Sequence, residues 1–174
     1  GAVVLASVTG ALVVQAAIGP QPAFALPELE GTTWRLYCLV PFVAFLAALC
    51  GLLFQKSTLR LRGALMRRQW RFKWLLPFFG GLITWCIGIG AFLSTGKIGV
   101  FGLGYGDLSD ALSKGIPWRI AGVLTVGKLA ATMVSYGFGG CGGIFSPMLF
   151  IGGMCGFFAA GLGGQWLSLT PSDQ

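Results

Sequence analysis

The sequence predicts an all-α protein, a polytopic bundle of membrane helices, and three observations carry that expectation. Hydrophobic residues make up 55% of the 174 and charged residues only 10%, where an ordinary soluble domain is charged at about one position in four. The mean hydropathy is +0.81. Apolar runs also recur at lengths near the roughly 20 residues that a helix needs to cross a hydrocarbon core, and five such runs can be counted. The same composition excludes much chemistry. With no histidine there is no imidazole base, no His-ligated metal and no Ser-His-Asp triad. We therefore expect no enzyme, no metal and no cofactor.

The first run, within residues 1–19, is apolar from Ala2 and stops at Gly19-Pro20, a helix-ending pair. The second span covers residues 33–68. Its apolar part runs to Phe54, and Leu59, Leu61, Leu65 and Met66, interleaved with arginines, predict an amphipathic extension into the membrane interface. A third span is expected over 74–93. A glycine-dense link then leads into a short polar helix at 106–114, with Asp107 near its N-terminus, where the helix dipole favours a negative charge. Residues 117–136 form the fourth span. The fifth, 143–166, carries Gly152, Gly156, Ala160 and Gly164 at intervals of four, a spacing that lets helices approach closely in lipid. The chain opens on Gly1 beside an apolar run and closes just after another, so it is expected to be the interior of a longer polypeptide.

Charge placement orients the chain. Twelve Lys and Arg against five Asp and Glu give a net charge of +7, and Lys56, Arg60, Arg62, Arg67, Arg68, Arg71 and Lys73 fall between the second and third spans. By the positive-inside rule loop 56–73 is cytoplasmic, and the preceding connection, with Glu28, Glu30 and no Lys or Arg, suits the opposite face. Short basic loops beside spans are routine, so no nucleic-acid partner is expected. The five cysteines are scattered through apolar surroundings with no C-x-x-C pair, and read as buried free thiols.

Two soluble-protein motifs are coincidences. Residues 122–128 match the spacing of a phosphate-binding loop up to Lys128, but Leu129 follows instead of Ser or Thr, and the copy sits inside an apolar helix. Residues 137–142 satisfy G-x-G-x-x-G, but after a membrane helix and with no acidic residue about twenty positions on. Lys128 itself still needs an explanation. An ammonium in mid-span costs about 2.5 to 3.5 kcal/mol, which the six Ile, Leu and Val of residues 120–136 barely cancel at about 0.3 to 0.6 each. It either lends positive potential to an anion path or is paired with backbone carbonyls or a helix end.

The strongest feature is the stretch 139–147, in which a glycine run meets Pro147 in the first turn of the next helix. It reads either as a glycine-rich packing turn or as a helix N-terminus set inside the bundle. The first amides of a helix lack carbonyl partners and the macrodipole puts about half a positive charge there, so such an end can hold an anion without a full basic charge. Discontinuous helices in transporters use the same device.

Gly142-Gly143-Ile144-Phe145-Ser146-Pro147 resembles the G-G-[IV]-F-[AS]-P motif of the CLC family of chloride channels and chloride/proton antiporters. Gly102-Leu103-Gly104-Tyr105-Gly106 is similar to that family's glycine-tyrosine stretch before a short helix, Lys128 supplies its basic residue ahead of the motif, and the order of the runs agrees along essentially the whole chain. The resemblance implies an inverted-repeat, multi-pass membrane fold, a homodimer with an anion pathway in each subunit, and chloride or a similar small anion as the transported species. Residues 1–19 would be the last helix of the first repeat, at the dimer interface, and 33–166 the first helices of the second. The backbone of Gly143, Ile144, Phe145 and Ser146 would bind the anion, supported by Gly142, Pro147 and Lys128. The family's G-S-G-I-P and G-[KR]-E-G-P segments are not in this stretch, and Ile98 stands where a chance likeness at residues 96–100 would need the gating glutamate. The alternatives are another broken-helix secondary transporter and a non-transporting membrane remnant.

Overall fold

The structure, a computed structural model, describes residues 1–19, 34–67 and 73–167. Six α-helices follow one another: α1 (Ala2–Ile18), α2 (Trp34–Arg67), α3 (Leu76–Thr95) after a single 3₁₀ turn at Lys73–Leu75, α4 (Tyr105–Lys114), α5 (Trp118–Gly137) and α6 (Phe145–Leu167). No strand occurs among the described residues. Arg68 and Arg71, the Glu28 and Glu30 connection and the last residues lie outside the described residues.

Among the described residues four helices, in α2, α3, α5 and α6, are long and apolar enough to cross a membrane. α1 is shorter: its 17 residues rise about 26 Å, less than the hydrocarbon thickness of about 30 Å. It buries no residue. α2 has the opposite excess, 34 residues or about 51 Å of helix, longer than a bilayer of about 40 to 45 Å with its headgroups. Pro41 inside it removes one backbone hydrogen bond, a loss that membrane helices tolerate.

The helix ends follow local chemistry. Pro77 sits in the first turn of α3, and Gly96 closes that helix in the left-handed conformation at φ 69°. α4 carries Asp107 in its first turn and Lys114 in its last, each matched to the dipole at its end.

α5 is the centre of the bundle and packs against α2, α3 and α6. Its buried face includes Ala121, Leu124, Leu129 and Ala131, and small residues there let its neighbours come close. The main core joins Ala91 of α3, Leu108 and Ala111 of α4, Leu124 of α5 and Phe150 and Met154 of α6. The close approaches on α6 differ from the expected stripe. Gly152 and Gly156 face open space, whereas a methyl group at Gly153 would meet Leu108 and one at Gly161 would meet Trp118. Fully buried Phe150 and Met154 set the rotation of the helix, and Gly152, two residues or about 200° from each, is turned away. The surroundings of Gly164 lie outside the described residues.

Candidate functional site

Lys128, halfway along α5, is only 2% exposed. Its ammonium donates to the carbonyl oxygens of Gly99 at 3.0 Å, Val100 at 3.1 Å and Gly102 at 2.7 Å. Three donors meet three acceptors, so the group is satisfied without a carboxylate and its positive charge is left unneutralised. The Phe150 ring lies 5.2 Å from the nitrogen and adds a cation–π contact. Carbonyl pairing, one of the two roles open to this lysine from sequence, is present in the structure.

The α3–α4 link can gather its carbonyls because it is glycine-rich. Gly104 has φ 76°, and a methyl group there would sit 2.6 Å from the Gly99 carbonyl oxygen and 2.6 Å from the Phe150 ring. Gly99 is itself crowded by Phe150 and Asp107, since a methyl would fall 2.7 Å from the ring and 2.9 Å from Asp107 Oδ2. Lys97 pairs with Asp107 at 3.7 Å and holds the link to α4 from outside. Ser146 closes it from α6, donating its hydroxyl to the Leu103 carbonyl at 3.0 Å.

The turn between α5 and α6 is fixed by two contacts. The Gly140 amide donates to the Ser135 carbonyl at 2.8 Å, and the Tyr136 hydroxyl donates to the Gly142 carbonyl at 2.8 Å. Gly140 has no room for a side chain, because a methyl would lie 2.7 Å from the Ser135 oxygen. Tyr136 is steadied by Phe54 of α2, edge to face with centroids 6.2 Å apart. Beyond the turn α6 begins at Phe145 with Pro147 as its third residue. Among the described residues no backbone carbonyl accepts from the amides of Ile144, Phe145 or Ser146.

A cavity of about 210 Å³ opens beside this turn, lined among others by Lys128, Thr132, Tyr136, Gly142, Gly143 and Pro147. It therefore collects four of the seven residues singled out from sequence. The other three sit differently. Ile144 and Phe145 have side chains 50% and 73% exposed outside the cavity lining, and the Ser146 hydroxyl is buried and occupied by Leu103. Only their main chain remains to act. Tyr136, Ser135 and the carbonyl trio of the α3–α4 link were not singled out from sequence. The signal available for Tyr136 was its place six residues before Gly142 at a helix end. Cys141 lines the cavity and is exposed, against the expected burial of the cysteines, as is Cys86, whereas Cys155 is buried.

The arrangement offers a small cavity of mixed polarity, with Lys128 on its lining and Gly142, Gly143 and Pro147 bringing it beside the N-terminus of the 23-residue α6. Among the described residues no group of three His, Cys, Asp or Glu is gathered in a way that could hold a metal.

The fold defines an integral, multi-pass α-helical membrane protein; residues 141–145, at the helix end expected inside the bundle, are exposed. Comparison with known proteins places it more closely: residues 1–173 match the voltage gated chloride channel family, and the chain belongs to it. It is 30% identical over 133 residues to the voltage-gated ClC-type chloride channel ClcB of Salmonella typhimurium, covering 76% of this chain and 30% of that protein. It is 29% identical over 157 residues to the putative chloride channel protein ClcB-like of Ralstonia nicotianae, covering 90% and 35%. A chloride/fluoride channel protein of Pseudomonas syringae pv. tomato is 30% identical over 128 residues, covering 71% and 26%. The chain spans about a third of the length of these relatives. No solved structure gives a significant match.

Proposed function

We propose that this chain supplies one end of the anion site of a chloride-transporting membrane protein. The observation that carries the reading is the meeting of Lys128, Gly142, Gly143 and Pro147 at one cavity beside the N-terminus of α6. A chloride or fluoride ion at the N-terminus of α6, beside this cavity, is held by the free amides of Gly143 to Ser146, with Lys128 contributing potential through the link and not a direct bond, since all three of its protons are engaged. The described lining carries no carboxylate, so the proton steps of an antiport cycle would fall to residues other than these. On the same reading loop 56–73 faces the cytoplasm, α1 lies at a homodimer interface as the last helix of a first repeat, and α2 to α6 open the second repeat.

The test is anion flux from liposomes containing the intact protein, with Gly143→Pro as the variant. Proline deletes one amide and restricts the backbone before Ile144. We expect chloride flux in the parent and a loss of at least about tenfold in the variant, the range for one lost anion-stabilising donor being about 10²–10³. A parent that moves neither chloride, nitrate nor fluoride refutes the transport reading, and a variant with unchanged flux and affinity refutes the helix-end site.

A further inference from the structure

We propose that the basic end of α2 is a docking site for an anionic phospholipid, whose phosphate is held in the notch between Arg60 and Arg67. α2 is apolar as far as Phe54 and then carries Lys56, Arg60, Arg62 and Arg67. A helix longer than the bilayer that changes character there brings this end to headgroup depth.

Arg60, Gly63, Ala64 and Arg67 are spaced by three, four and seven and so share one helix face. The two arginines stand about 10 Å apart along the axis. With only Gly63 and Ala64 between them, a hollow of about 400 Å³ is left, with Leu59 on its rim. A side chain added at Gly63 would meet nothing, so the hollow is open space and not a packing contact. Leu59 on its rim and Met66 along the same side of the helix, 63% and 57% exposed, offer apolar surface suited to glycerol and the tops of acyl chains.

Charge complementarity identifies the occupant. No Asp or Glu occurs in the sequence between Glu30 and Asp107. The described carboxylates, Asp107 and Asp110, are engaged with Lys97 and Lys114, and no described carboxylate lies within ion-pair distance of Arg60 or Arg67. Guanidinium forks match phosphate oxygens, and basic clusters immediately beside a span favour anionic lipid. The apolar rim selects a phosphate that carries a hydrocarbon tail over a free one.

Native mass spectrometry of the intact protein, loaded with phosphatidylglycerol or phosphatidylcholine of the same acyl chains, tests this with inorganic phosphate as competitor. We expect phosphatidylglycerol to be retained preferentially and to resist phosphate. Arg60→Gln and Arg67→Gln should each weaken retention about fivefold, the effect of one basic residue near an anionic surface. Gly63→Gln, which fills the hollow at unchanged charge, should weaken it comparably, and Arg62→Gln, on the other side of the helix, by less than about twofold. Equal retention of the two lipids overturns the proposal, as does displacement by inorganic phosphate. Equal losses for Arg62→Gln and Arg60→Gln with none for Gly63→Gln overturn the notch in favour of diffuse attraction.

Discussion

The hydroxyl of Tyr136, at the end of α5, donates to the carbonyl of Gly142, at the start of the turn into α6, over 2.8 Å. This bond ties the helix that carries Lys128 to the backbone that lines the cavity beside α6. Tyr136→Phe keeps the packing on Phe54 and removes only the hydroxyl. The expected cost is about 1 kcal/mol of stability, the net worth of a typical hydrogen bond, and a severalfold weaker chloride affinity in calorimetry as the turn loosens. An unchanged affinity would show that the turn is held without it.

Lys128 joins α5 to the link between α3 and α4 through three carbonyls. Lys128→Met keeps much of the side-chain volume and leaves those oxygens without their donor. Each buried orphan costs about 1 to 3 kcal/mol, so thermal unfolding in detergent should move down by several degrees and more than for Tyr136→Phe. Anion affinity should also fall, because an unneutralised positive charge has gone. A variant that melts lower with full affinity would make Lys128 a fastening alone.

How much of this was legible beforehand depended on the interaction involved. Helices α2, α3, α5 and α6 followed from apolar run lengths and from punctuation such as Gly96 and Pro77, and α4 from its polar stretch with Asp107 near the start, signals that act within a few residues. The turn at Gly142 and Gly143 was visible for the same reason. Which carbonyls would hold Lys128 was not, because the acceptors lie 26 to 29 positions away and belong to the backbone, which looks alike in every sequence. The rotation of α6 was likewise hidden: a four-residue glycine stripe and its neighbours one position on score alike, and the choice is made by Phe150 and Met154 finding space in the core.

α4 supplies an acid-dependent element. Lys114 hydrogen-bonds Asp110 at 2.9 Å, and that bond, with the charges of Lys114 and Lys97, holds the Asp110 carboxyl below its ordinary value of 3.8. A carboxyl lowered on folding adds stability above the unfolded value, and that stability is lost as pH falls through the folded one. Stability should therefore be flat near neutrality and decline below about pH 4, with a smaller decline in Asp110→Asn and in high salt, since the pair is exposed. Unfolding temperature followed from pH 7 to pH 3 at two ionic strengths checks this, and an identical acid limb in Asp110→Asn would exclude the pair as its source.

Glycine substitutions separate packing from open surface. At Gly104 both the φ of 76° and the crowding by Gly99 and Phe150 oppose any side chain, and Gly104→Ala would push the link away from Lys128. Gly153 faces Leu108 and Gly161 faces Trp118, while Gly152 and Gly156 face nothing. We expect Gly104→Ala, Gly153→Ala and Gly161→Ala each to destabilise by about 1 to 3 kcal/mol, the usual cost of overpacking. Gly152→Ala should be neutral or stabilising by up to about 1 kcal/mol, since alanine is the better helix former. Thermal unfolding of the four variants decides between this rotation of α6 and the one that the four-residue stripe suggests. If α6 were turned to bury Gly152, that substitution would be the costly one and Gly153→Ala the silent one. Among the crowded positions only Gly104→Ala should also weaken chloride binding, because it alone moves the carbonyls that hold Lys128.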